Sequence, residues 1–173
     1  MNKKFSTLVA SLLLAGAWTT ANAELKLLPT NVAPEVGKSY VMGTDVTEAA
    51  GTLKNLVKSD LTLGNTSQAA ALTAFGNEWA LEAVSVDGVE DAFYLKNVDG
   101  KYLGGDGTDT YALSLQVKEK AYAFVYDVAS QKVVLAKDYT KTYIKKGFSL
   151  SVLSSKAVVS DGDGNPALKL ASL

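Results

Sequence analysis

Apolar and polar residues alternate with a period of two through most of this sequence, in short runs cut by turn residues. The alternation is cleanest over residues 111–117, where Tyr111, Leu113, Leu115 and Val117 fall on one face and Ala112, Ser114 and Gln116 on the other. Tyr122, Phe124, Tyr126 and Val128 repeat the pattern, followed by apolar runs at 133–136, 142–145 and 148–153. Side chains alternate faces along a strand, so each run predicts a strand with one buried face. Earlier runs at 39–42, 61–63, 70–75, 78–86 and 92–98 stop at turn residues, among them Gly64-Asn65, Gly76-Asn77, Asp87-Gly88 and Asp99-Gly100. The last pair is of the kind that forms a type I′ hairpin turn. A segment at 47–57 has Thr47 in place to cap a helix, but Gly51 and Thr52 interrupt it and it lacks an apolar stripe. Many short strands with turns every 8 to 12 residues mark a sandwich or a barrel.

The strand pattern also repeats. A shift of 41 residues brings Tyr102-Leu103 onto Tyr143-Ile144 and Lys96 onto Lys137, while Leu113-Ser114-Leu115 and Leu150-Ser151-Val152 lie 37 apart. A weaker first copy begins at Tyr40-Val41 and ends at 78–81, which corresponds to 123–126 in the second copy. The run from Asp99 through Gly100-Lys101-Tyr102-Leu103-Gly104, then Leu113-Ser114-Leu115, then Ala123-Phe124-Val125, resembles one repeat of a β-trefoil of the ricin-like or fascin-like type. That resemblance implies an all-β, β-trefoil-like single domain of three imperfect repeats; the alternative from strand pattern alone is a β-sandwich. It also implies a sugar-binding or protein-binding module. Ricin-like lectins carry a Q-x-W signature, however, and only Trp79, preceded by Asn77-Glu78, stands at an equivalent place.

The first 23 residues stand apart. Lys3 and Lys4 precede a largely apolar stretch from Phe5 to Trp18, and Ala21-Asn22-Ala23 closes it with the small residues that a signal peptidase reads. The stretch is too short for a bilayer span, which takes about 20 apolar residues. Residues 1–23 are therefore expected to be a removable signal peptide, 24–36 an extended lead-in containing Pro29 and Pro34, and 37–173 the domain. The leader also resembles those of secreted proteins from Bacteroides-type bacteria. The expected destination is beyond the inner membrane: periplasm, cell surface or extracellular space.

Composition narrows the chemistry. Without Lys3 and Lys4, 15 basic residues face 18 acidic ones, a net charge of −3, and every basic residue is a lysine. Such a surface is a poor counterpart for a phosphate backbone, so no nucleic-acid partner is expected. No membrane span is expected in the mature chain. The chain has no histidine and no cysteine, which excludes Ser-His-Asp and Cys-His nucleophile systems and the usual zinc ligand sets. Acids such as Asp60, Asp87, Asp91, Asp99 and Asp138 sit at turns, where they serve turn geometry. Residues 104–109 match one copy of a calcium-binding nonapeptide without a stacked neighbour. Residues 161–165 begin like an EF-hand loop, but Pro166 stands where glycine is required. Both read as turns, and no metal, cofactor or catalytic residue is expected. The candidate ligand-binding residues are aromatic: Trp79, Tyr102 and Tyr143, for a glycan or a surface protein. Trp79 alternates with Leu81, which argues for the core.

Overall fold

A computed structural model describes residues 25–45, 53–64, 76–105, 112–136, 147–160 and 164–172. The proposed leader, Tyr111, Tyr143 and most of both calcium-like loops lie outside these residues. The regular structure of the described chain is almost entirely strand, as the alternation predicts. In order the strands are β1 (Lys26–Leu27), β2 (Ser39–Asp45), β3 (Leu53–Lys54), β4 (Leu56–Val57), β5 (Leu63–Gly64), β6 (Trp79–Ala83) and β7 (Phe93–Lys96). They continue as β8 (Tyr102–Gly104), β9 (Ser114–Gln116), β10 (Phe124–Asp127), β11 (Lys132–Leu135), β12 (Ser149–Leu153), β13 (Lys156–Ser160) and β14 (Leu168–Ser172). One short 3-10 turn, Lys118–Lys120, joins β9 to β10. Among the described residues no helix is long and apolar enough to cross a membrane.

Every strand pairing is antiparallel, and one hydrogen-bonded path runs β1-β14-β2-β6-β7-β10-β11-β12-β13. Its far part returns toward its beginning: Ser151 of β12 bridges Ala167 just ahead of β14, and Val152 N–H donates to Pro166 O at 2.9 Å. A common order recurs along the chain. β7 pairs β8 through Lys96 and Tyr102, β8 forms a hairpin with β9, and Gly104 bridges Ala121 ahead of β10. Likewise β11 pairs β12 through Val134 and Ser149, β12 forms a hairpin with β13, and Ser151 bridges Ala167 ahead of β14. Residues 39–83 carry the same order with a shorter hairpin, β4–β5, between β2 and β6. By pairing, β12 is the counterpart of β8, whereas the sequence shift makes Leu150-Ser151-Val152 the counterpart of Leu113-Ser114-Leu115 in the β9 region.

The inward face of the strands makes one core. Trp79, Leu81, Phe93, Leu95, Phe124 and Leu135 are each buried in it, where burial of large apolar side chains is the main favourable term in folding. A second, smaller cluster lies outside this layer, where Leu25, Val41, Leu53, Leu56 and Ala171 pack together. It explains why β2 is buried on both faces, and why the start of the lead-in is a strand tied to β14 through Lys26 and Ser172. The segment 53–57 is two strands turning at Asn55, whose φ is +48°, and it is not helical. Residues 47–52 lie outside the described residues.

Two local expectations change. Alternation with Leu150 and Val152 turns Ser151 outward, yet it is fully buried, and Ser149 is buried as well. β12 is covered on both faces, and the Ser151 hydroxyl reaches the Ser149 carbonyl at 3.3 Å. The turn at Asp99-Gly100 does reverse the chain, but only Gly100 takes positive φ, +76°. A type I′ turn needs positive φ at both central residues. Here the loop spans Asn97 to Lys101, and Asn97 Oδ1 accepts from the N–H groups of Asp99 and Lys101 at 3.1 and 2.8 Å.

Candidate functional site

The outer face of β6 through β9 carries a row of side chains set by register. Ala80 lies opposite Lys96, Lys96 opposite Tyr102, and Tyr102 opposite Gln116; one step along, Glu82 lies opposite Tyr94. Alternation dictates this face, because Trp79, Leu81, Phe93 and Leu95 take the inner one.

Glu82 is the hub of the row. Its Oε2 accepts a hydrogen bond from the Tyr102 hydroxyl at 2.8 Å, its Oε1 accepts one from Lys118 Nζ, and Lys96 Nζ stands 3.9 Å from Oε2. The Tyr94 and Tyr102 rings meet edge to face, with centroids 5.9 Å apart and planes at 82°. Lys96 Nζ sits 5.6 Å from the Tyr102 centroid, and Lys118 Nζ 6.0 Å from that of Tyr94, within the range of cation–π attraction. Each carboxylate oxygen has about two acceptor sites, so Glu82 can still receive a ligand hydroxyl.

The hydrogen bond from Lys118, then that from Tyr102, holds the Glu82 carboxyl below the usual carboxylate range, and Lys118 is correspondingly pushed up. A depressed carboxyl contributes stability above its unfolded pKa of about 4.3, and that contribution is lost as pH falls through the folded value. Glu82→Gln should therefore lower the melting midpoint at neutral pH, with the difference from the native protein vanishing on acidification. Melting curves across acid pH check it; a difference that persists in acid would contradict the assignment.

Shallow concavities flank this row. One, of about 410 Å³, is lined by Val36, Gly37, Ala80, Glu82, Ala83 and Lys96 among others. The next, of about 200 Å³, is lined by Ser39, Glu78, Ala80, Lys96, Asn97 and Val98. Ala80 and Lys96 belong to both, so the two form one groove along β6. A third cleft, of about 390 Å³, lies between the lead-in and the ends of β7 and β10, with Pro34, Glu90, Asp91 and Tyr126 in its lining. Burial of Tyr126 raises its pKa to about 12, and its hydroxyl has no hydrogen-bond partner among the described residues.

The aromatic candidates part company. Trp79 is 0% exposed and its indole N–H donates to Val57 O at 3.3 Å, so no face of the ring is open to a ligand. Its fluorescence in the mature protein should be blue-shifted and unchanged by sugar titration; a red, ligand-sensitive spectrum would contradict this burial. Tyr102 joins the row on the outer face, but it is only 7% exposed and its hydroxyl is bound to Glu82, so the half-buried Tyr94 supplies the more accessible ring. Tyr143 lies outside the described residues. Glu82, Tyr94, Lys96 and Lys118 were not singled out from sequence, although alternation from Trp79 and Phe93 places the first three outward. Lys118 is contributed by the turn after β9, and nothing in a linear pattern brings it 36 residues back to Glu82.

As chemistry, the row offers hydrogen-bond donors, an acceptor and aromatic surface. The carboxyls with a resolved shift, Asp60, Glu82 and Asp127, are all pushed down, whereas a general acid at neutral pH needs an upward shift. Among the described residues no three His, Cys, Asp or Glu side chains converge as a metal site would require. No protein-family model matches the sequence, and no curated protein is significantly similar to it.

Proposed function

We propose that this chain is an exported, non-catalytic binding module, β-trefoil-like in organisation, that binds carbohydrate on the outer face of β6 to β9. The leader pattern of residues 1–23 supports export. The recurring order of long strand, hairpin and closing strand supports the trefoil-like organisation. The observation that carries the binding reading is the convergence of Tyr94, Tyr102, Glu82, Lys96 and Lys118 beside an open groove. Sugars present hydroxyls around an apolar ring face, and the half-buried Tyr94 ring beside a carboxylate and ammonium groups answers both features.

The second reading is a protein-interaction module without a small ligand. It is favoured by three exposed valines, Val36, Val98 and Val117, around the same row. A glycan array probed with labelled residues 24–173 separates the two. Retention of a defined glycan class, lost in the Tyr94→Ala variant, is the expected result. No retention of any glycan contradicts the carbohydrate reading.

A further inference from the structure

The groove along β6 has a charge order that bears on which carbohydrate it takes. Glu78, Ala80 and Glu82 alternate along the outer side of this stretch, and Lys96 stands opposite Ala80. At a strand's rise of about 3.3 Å per residue, the Glu78 and Glu82 backbone positions lie about 13 Å apart. Between them, the methyl group of Ala80 leaves a gap that Lys96 overlooks from the neighbouring strand, with its side chain 39% exposed. Neither Lys96 Nζ nor the Glu78 carboxylate makes a hydrogen bond among the described residues, although Lys96 is 3.9 Å from Glu82. The groove therefore presents acceptor, donor, acceptor in sequence. Counting Lys118, its two carboxylates and two ammonium groups cancel.

Resting on the carbohydrate reading above, we infer that the ligand is a neutral oligosaccharide lying lengthwise over Ala80, with Glu78 and Glu82 accepting from its hydroxyls and Lys96 donating to them. The balance of charge favours a neutral ligand, since neither an acidic nor a cationic one gains net attraction. An acidic glycan meets two carboxylates as well as two ammonium groups, and a cationic ligand the reverse, whereas a sugar hydroxyl both donates and accepts and so suits every group in the row. The groove is shallow and, besides the exposed Val36 and Val98, is lined largely by small residues such as Ala80, Ala83 and Gly37, so it offers no enclosed socket to grip a peptide side chain. Ala80 is then the residue that sets access. Its side chain faces away from the core, so enlarging it fills the groove without touching the packing of Trp79 or Leu81.

The test is titration calorimetry of residues 24–173 with cellohexaose, laminarihexaose and mannohexaose, alongside a galacturonate oligomer and an acidic peptide. A neutral hexaose should bind, with an affinity little changed between low and high salt. Ala80→Leu and Lys96→Ala should each weaken that binding by about tenfold or more, or roughly 1.4 kcal/mol, at an unchanged melting midpoint. The inference is overturned if the galacturonate oligomer or the peptide binds best with steep salt dependence. It is equally overturned if a neutral sugar binds Ala80→Leu as tightly as the native protein, an outcome that leaves the broader carbohydrate reading standing. Failure of every glycan on the array would instead remove that broader reading.

Discussion

Replacing Phe124 by alanine is expected to destabilise the protein by about 3 to 5 kcal/mol through lost apolar burial and a residual cavity. Phe124 is 0% exposed and lies in the middle of the sheet, opposite Phe93 of β7 on one side and Leu135 of β11 on the other. Its ring meets that of Tyr122 edge to face at 6.4 Å. Truncation therefore empties a space bounded by three strands, none of which can collapse inward without breaking pairings elsewhere. Ser114→Ala, on the half-buried face of β9, removes the acceptor of the Gln116 amide at 2.8 Å but no core volume, so its cost should stay within about 1 kcal/mol. Denaturant midpoints of the two variants, at equal slope, decide the matter. An unchanged midpoint for Phe124→Ala would mean that the faces of β10 are reversed.

Gly104→Ala should also be costly, for a reason unrelated to backbone freedom. A methyl group built on Gly104 would lie 2.6 Å from the Lys120 carbonyl oxygen and 2.9 Å from Gln116 Cγ. The carbonyl belongs to the backbone of the turn that carries Lys118, and the bridge from Gly104 to Ala121 fixes it. Overpacking of this kind costs about 1 to 3 kcal/mol. The same change should disturb the hold of Lys118 on Glu82. Gly64 of β5 provides the control. There the nearest atom, Lys58 Cε, is 3.4 Å away, and alanine should be neutral or mildly stabilising. Thermal midpoints measure both, and a tolerated Gly104→Ala would refute the close approach.

These cases show which parts of the fold a linear pattern carries. Alternation identifies the inward residues of β6, β7 and β10, because side-chain direction along one strand depends only on local geometry. Turns at Gly76, Gly88 and Gly100 are likewise visible, and each has the positive φ that glycine adopts freely. Gly104 opens a segment whose sequence reads as a turn, yet it is in a strand and buried, since another segment's backbone passes against it. Close approach between segments distant in sequence leaves no local mark. Ser151 fails in the same way, because a second covering layer is a tertiary fact. The candidate row was half legible: Tyr102 stood out as part of the trefoil-like motif, whereas its partners follow only from strand register and from the turn at Lys118.

Where a ligand binds is the most direct test of the proposed site. Titration of isotope-labelled residues 24–173 with a glycan retained on the array, followed by amide shifts in nuclear magnetic resonance, locates it. The expected result is a set of shifts confined to Glu78, Ala80, Glu82, Tyr94, Lys96 and Tyr102 and their strand neighbours. Shifts gathered instead around Pro34, Glu90 and Tyr126, with the outer face of β6 to β9 silent, would contradict it.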